Sequence, residues 1–378
     1  NNDVAICDPN SPNSYCCSQY GYCGSSDAHC NCESCVNFKA NPNHKYKFTP
    51  PPQVAAGTVN SQPAKCNKKV IGYYPSWGSS VLSNYQASLM THILFAFLPM
   101  APDGTVSVNE TPGDNSVENR VIELFKVTKQ FPHLRIMFSV GGWGRSDNFP
   151  AVTADANKRR NFVQSTLKMI KTYGFHGVDI DWEYPTSAAD MKNFVLFAKD
   201  IREGFDAYEK ANNLNEKLLI TIAGPAYYAK IDSGFDLGEL VKYLDMFNAM
   251  TYDYFGAWEK YTASHAPLYN SAPSIIDQNL YIDRTMKSYV CGTLAPHKVI
   301  LGIPFYGRYW RNVGEPIEPG NGMWRISEPL NGDAIIYKDI ASKYNDNPEY
   351  VKYFDNVAKA SYIYNAKERF FVGYDSPE

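Results

Sequence analysis

Seven apolar, β-rich stretches recur along the chain from Val70 onward, with amphipathic stretches between them. The strand candidates are Val70–Tyr74, His92–Leu98, Arg135–Val140, Gly177–Trp182, Leu218–Ala223, Met246–Tyr252 and Val299–Phe305. Helical patterns include Val117–Gln130, Ala156–Tyr173, Ala189–Asn212 and Ile276–Cys291. Repeated strand–helix crossovers of one hand build a parallel sheet. Seven such strands, with acids at the C-terminal end of one of them, fit an α/β chain folded as a TIM-type (β/α)8 barrel better than an open sheet. An eighth strand is not legible. The tail from Trp310 onward has mixed character, so residues 309–370 are expected to form a small α+β insertion after strand seven, with the last barrel strand lacking.

The acids in question lie in Gly174-Phe175-His176-Gly177-Val178-Asp179-Ile180-Asp181-Trp182-Glu183-Tyr184-Pro185. Side chains two apart on a strand share a face, so Asp179, Asp181 and Glu183 point one way, Asp181 and Glu183 roughly 7 Å apart at Cα. An unpartnered ionised carboxylate costs several kcal/mol to bury, so packing alone does not put three on a core strand. A solvated strand edge or a cation site is the bland alternative. Shifted carboxylates gather at functional sites, which favours catalysis. Glu183, outermost in the row, is the natural proton donor, with partial burial and neighbouring Asp181 raising its pKa. Asp181 springs from the same strand face and is poorly placed to attack a bound group from the side opposite Glu183.

The ligand is expected to be neutral. A formal charge of -3, from 36 basic and 39 acidic residues, gives no electrostatic case for nucleic acid or an anionic membrane. The 28 Tyr and 6 Trp suit surfaces that stack on flat apolar faces such as sugar rings. Seven of the nine Cys fall within the first 35 residues: Cys7, Cys16, Cys17, Cys23, Cys30, Cys32 and Cys35. Such density predicts a disulfide-stapled module and an oxidising, extracellular location. A zinc cluster would want regular Cys-x-x-Cys pairs, and only Cys32-Glu33-Ser34-Cys35 offers one. No signal peptide is visible, and no run reaches membrane-spanning length. The organisation read from composition is a small module over 1–38, a Pro-containing linker over 39–65 and a large domain over 66–378. No metal or organic cofactor is indicated, and a monomer is expected.

The large domain resembles glycoside hydrolase family 18, the chitinase family. His176 to Pro185 matches the family's D-G-x-D-x-D-W-E-Y-P signature except at its first position, where His176 replaces Asp. Ser139-Val140-Gly141-Gly142-Trp143, Met250-Thr251-Tyr252-Asp253, Gly302–Arg308 and Gly72–Trp77 resemble further family elements, in family order. The resemblance implies hydrolysis of chitin with Glu183 as acid and the substrate's own acetamido oxygen as nucleophile. It further implies that Asp181 orients the acetamido N–H, Asp179 tunes Asp181, and Tyr252 donates to the acetamido oxygen. Tyr74, Trp143, Trp182, Met250, Asp253, Tyr306 and Arg308 become expected substrate contacts. An internal Asp253–Arg308 ion pair explains those two residues equally well, and the tryptophans could as easily be core. His176 reads as a structural histidine.

Near the N-terminus, Cys16 to Cys30 resembles the hevein-type chitin-binding module. That likeness implies binding by Ser18, Tyr20 and Tyr22, with His29 in place of the usual last Tyr. It also implies Cys7–Cys23 and Cys16–Cys30 disulfides, and a partner for Cys17 upstream of Asn1, as if the chain were a fragment at both ends. Chitin and N-acetylglucosamine oligomers are then the expected partners. A chitin-binding lectin on an inactive barrel and an endo-β-N-acetylglucosaminidase are the competing readings. Retention of Glu183, Asp181 and Tyr252 argues against the first, and the hevein-like module against the second.

Overall fold

A computed structural model describes residues 10, 15–17, 23–25, 30, 36–37, 39–40, 68–78, 81–109, 116–344 and 347–377. Near the N-terminus three two-residue strands, β1 (Cys16–Cys17), β2 (Cys23–Gly24) and β3 (Val36–Asn37), pair antiparallel in the order β2-β1-β3. Cys16 is bonded to Cys30, with their Cα atoms 5.2 Å apart. The linker and the remaining N-terminal cysteines, Cys7, Cys32 and Cys35, lie outside the described residues apart from 39 and 40, as do the candidate ligands Ser18, Tyr20, Tyr22 and His29.

The main sheet has seven strands in sequential order: β4 (Ile71–Pro75), β5 (His92–Leu98), β6 (Arg135–Gly141), β7 (Gly177–Asp181), β8 (Leu219–Gly224), β9 (Met246–Ala249) and β10 (Val299–Leu301). Pairing is parallel, as in Ile93↔Ile136 and Ile222↔Phe247. β6 reads RIMFSVG and is buried from Ile136 onward, and all five residues of β7 are buried. Near-continuous burial is what a parallel sheet covered by crossover helices requires, and it explains why these strands show no clean polar alternation. The helix Ala156–Tyr173 shows how sharply the crossovers are bounded. Asp155 accepts N–H bonds from Asn157 and Lys158 at its start, and Gly174, at φ 86°, closes its end with an N–H bond to Ile170 O.

Some expected elements end elsewhere. The helix expected over Ile276–Cys291 runs over Ile282–Thr293. Asp277 accepts the Asn279 N–H, and the Gln278 side chain donates to the Pro273 and Ile276 carbonyls, so residues 276–279 are held in a turn. The strand expected over Val299–Phe305 stops at Leu301, and the chain re-enters β structure in a different sheet. That second sheet is antiparallel, in the order β12-β11-β15-β14-β13. Its members are β11 (Tyr306–Trp310), β12 (Gly332–Ile336), β13 (Val351–Asp355), β14 (Ala360–Asn365) and β15 (Phe370–Tyr374). The insertion thus begins at Tyr306 and extends to Tyr374, slightly beyond the 309–370 expected. Among the described residues no eighth strand joins the parallel sheet.

By contacts the chain divides into two compact units, Asn1–Ile180 with Asp200–Leu219, and Asp181–Lys199 with Ile220–Glu378. Within the first, Phe175 receives the edges of Phe125 and Phe138 at centroid distances of 5.1 and 5.0 Å. Within the second, β14 and β15 of the antiparallel sheet are buried on both faces, following the two-residue period of the strands, while β12 and β13 are largely exposed. Trp310, Tyr362 and Phe371 join Tyr254, Phe255 and Trp324 on one side. Ile363, Phe370 and Val372 pack with Ile340 of the helix Tyr337–Tyr344 on the other.

Candidate active site

In the first unit the site residues gather around Asp179, wholly buried on β7. Its Oδ2 accepts the Ser139 hydroxyl at 2.7 Å and the Tyr73 hydroxyl at 3.1 Å. Ser139 therefore serves the carboxylate directly. Tyr73 comes from β4, whereas its neighbour Tyr74, the expected substrate contact, is buried against Phe95 with the Arg120 guanidinium over its ring. Adjacent residues of a strand face opposite ways, and two successive tyrosines gave the sequence no means of choosing between them. Nearby, Trp143 is 82% exposed and Trp77 is 59% exposed and stacked on Phe97. At the C-terminal ends of β5 and β6 an open cleft of about 280 Å³ is lined by Leu98, Met100, Gly141, Arg145 and Asn148. At the opposite end of the strands His176 accepts the Ile136 N–H through Nδ1 at 3.0 Å, and burial pulls it down to about 4. It is a structural histidine, as its position suggested.

In the second unit Asp181, two residues beyond Asp179 on the same strand, is 4% exposed, and Glu183 follows half-buried. Burial raises Glu183 above the usual glutamate range; the Tyr184 hydroxyl works against this, and the charge of Asp253 adds to it. Asp253 is thus a raising neighbour that the sequence did not announce. Trp182 is 2% exposed and packs edge-to-face on Phe194, so it sits in the core reading rather than on a sugar face.

Asp253 is delivered by the end of β9, which is shorter than the expected Met246–Tyr252. After Ala249 the backbone closes two successive tight turns, Thr251 N–H to Ala249 O and Tyr252 N–H to Met250 O, and Thr251 Oγ1 donates to Gly302 O at 2.7 Å. These bonds end the strand and leave Met250 partly buried, Tyr252 beside Tyr306 at a ring distance of 6.0 Å, and Asp253 in the left-handed region at φ 58°. Asp tolerates that conformation better than most residues. Arg308 on β11 grips it with both arms, Nε to Oδ1 at 2.8 Å and Nη2 to Oδ2 at 2.7 Å. Burial would push Asp253 up, but the nearby His265 imidazole and the Arg308 guanidinium hold it well below the usual carboxylate range. The Arg308 guanidinium also lies over the rings of Trp258, at 5.2 Å, and Tyr306, at 5.5 Å. The internal ion pair considered from the sequence is therefore present.

An ionised Asp253 near a half-buried carboxyl whose burial favours the protonated form is a disposition for acid catalysis. The comparisons agree with that class. Residues 69–378 match the model of Glycosyl hydrolases family 18. "Endochitinase 1" of Metarhizium robertsii is 32% identical over 338 residues, covering 81% of this chain and 74% of that one. An immunomodulatory active chitinase from Trichuris suis superposes with a TM-score of 0.71 at 26% identity, covering 82% of this chain and 86% of the other. A mutant GH18 chitinase from Cycas revoluta in complex with (GlcNAc)4 gives a TM-score of 0.68 at 27% identity, covering 81% and 87%. The chain belongs to glycosyl hydrolases family 18.

Proposed function

We propose that the protein is a secreted endo-type chitinase that cleaves β-1,4 bonds between N-acetylglucosamine units with retention. The observation that carries this reading is the acid run of β7 and the residues after it, ending in a Glu183 whose burial favours the protonated form. Glu183 gives its proton to the glycosidic oxygen. The acetamido oxygen of the sugar on the non-reducing side attacks the anomeric carbon as the bond breaks, forming an oxazolinium. Water then attacks the same carbon, losing its proton to the Glu183 carboxylate. Asp181 orients the acetamido N–H, Asp179 tunes Asp181, and Tyr252 donates to the acetamido oxygen. The substrate must be N-acetylated, because a nucleophilic carboxylate would have to come from the opposite face of the ring.

Exposed Trp143, with Asp253, Tyr306, Arg308 and Met250, supplies the sugar contacts in this reading. Residues 1–38 form a chitin-binding module, with Ser18, Tyr20, Tyr22 and His29 meeting the polymer, and tethering raises the local concentration of the enzyme. Residues 39–65 are the linker and 66–378 the catalytic domain, working as an extracellular monomer. The test is hydrolysis of N-acetylglucosamine oligomers by the unaltered protein and by Glu183→Gln, with the anomer of the fresh product read by NMR. Loss of about 10²-fold or more and an initial β-anomer support the mechanism; equal rates remove Glu183 from it. Full-length Tyr20→Ala/Tyr22→Ala should release insoluble chitin while keeping activity on soluble oligomers. Equal effects on both would end the anchoring proposal.

A further inference from the structure

His265 stands behind Asp253 and belongs to no motif read from the sequence. It is wholly buried, and neither ring nitrogen makes a hydrogen bond among the described residues. A buried imidazole left in that state costs free energy, and so calls for a reason. Its surroundings supply one. The His265 carbonyl accepts the N–H of Tyr254, the residue after Asp253, at 3.0 Å. The ring lies 4.9 Å from that of Tyr306, and Nδ1 stands 3.5 Å from Asp253 Oδ1, the oxygen already held by Arg308 Nε. The backbone of the loop is pressed against β15 at Gly373, where a Cβ would come within 2.6 Å of Ala263 O. The imidazole is thus fixed from behind by main chain and stands beside one carboxylate oxygen.

We propose that His265 is a positioning residue for the reaction, its Nδ1–H closing onto Asp253 Oδ1 in the substrate complex to complete a three-point hold with the two arms of Arg308. Hydrogen bonds in resting active sites are often long and tighten when substrate binds. The groups facing the ring are Asp253 from the loop after β9, Tyr306 and Arg308 from β11, and Asp375 from the segment after β15. Asp253 in turn supports the protonated form of Glu183. His265 therefore acts through Asp253 and touches no substrate. The inference rests on the reading of Glu183 as the acid.

The two nitrogen positions of the ring separate positioning from packing. An Asn amide can place a donor where Nδ1 stands, a Gln amide where Nε2 stands, and Phe places none. Steady-state kinetics on a soluble chitooligosaccharide across pH should therefore be compared for full-length wild type, His265→Asn, His265→Gln and His265→Phe, with near-ultraviolet circular dichroism confirming the fold of each. His265→Phe is expected to lose on the order of 10- to 100-fold in kcat with KM within about twofold. The acidic limb of its profile should move to higher pH, because Asp253 has lost a partner that keeps it ionised. His265→Asn should recover most of kcat, and His265→Gln little. Asn and Gln variants that fold and behave alike, or a Phe variant whose loss lies in KM with an unmoved profile, would overturn the proposal. If Phe fails to fold, the Asn-against-Gln ranking decides by itself. Full activity in Glu183→Gln would instead defeat the functional reading and leave the ranking of the His265 variants a separate result.

Discussion

Acid lability should reside in two histidines at the N-terminal ends of neighbouring strands. His92 opens β5 in register with Arg135 of β6, and His176 precedes β7 with its ring on the Ile136 N–H. Burial, then the charge of nearby cations including Arg135, pulls both from 6.5 to about 4. Histidines of the unfolded chain keep the ordinary value, so between pH 6.5 and 4 the unfolded state binds more protons. The stabilisation is complete above pH 6.5 and is lost as pH falls towards 4. For one histidine the interval corresponds to about 3 kcal/mol. That is a substantial part of the roughly 5–15 kcal/mol by which folded proteins survive. Urea unfolding should be followed by tryptophan fluorescence from pH 4.5 to 7.5 for the unaltered protein and for His176→Asn. The Asn Oδ1 can replace Nδ1 as acceptor for the Ile136 N–H while having no proton to gain. The variant should lose up to about 1.4 kcal/mol per pH unit of slope in this window. Identical pH dependence in both proteins would refute the argument.

Removing the 2.7 Å bond to Asp179 by Ser139→Ala should cost about 1–3 kcal/mol of stability and lower kcat, read by thermal melts and kinetics; an unchanged kcat would mean that the Ser139 hydroxyl is dispensable to the chemistry. At Gly142, φ is 92° and a Cβ would fall 2.6 Å from the Phe97 ring, so Gly142→Ala should destabilise by about 1–3 kcal/mol and disturb the Trp77–Phe97 stack, visible in near-ultraviolet dichroism. Arg308→Lys keeps the charge and loses the fork, and should therefore lower both melting temperature and kcat. A variant equal to wild type would show that a point charge is enough for Asp253.

The parallel strands were legible because burial on both faces writes them as apolar runs, and β5 occupies the residues read for it. The acid row was legible for the converse reason, since Asp179 and Asp181 break such a run. Strand ends were less so. β9 stops early because Thr251 and Gly302 bind one another across 51 residues, and no local pattern announces that bond. The long-range partners of the acids stayed hidden in the same way. Tyr73 could not be preferred to Tyr74, the charge of Asp253 acting on Glu183 could not be foreseen, and His265 carries no spacing that marks it. Each of these depends on which segments meet, and a single sequence encodes that only through the whole fold.

The antiparallel sheet looks dispensable in a linear diagram, as a late insertion appended to a barrel. Its first strand, however, carries Arg308 and Tyr306, and its last strand supports the loop that bears His265. For lineage and engineering alike this makes the insertion a heritable part of the chemistry. Hairpin tips can drift or be exchanged, but a homologue that discards the sheet discards the holder of its Asp253 equivalent. Transplanting the sheet between relatives should carry catalytic behaviour with it.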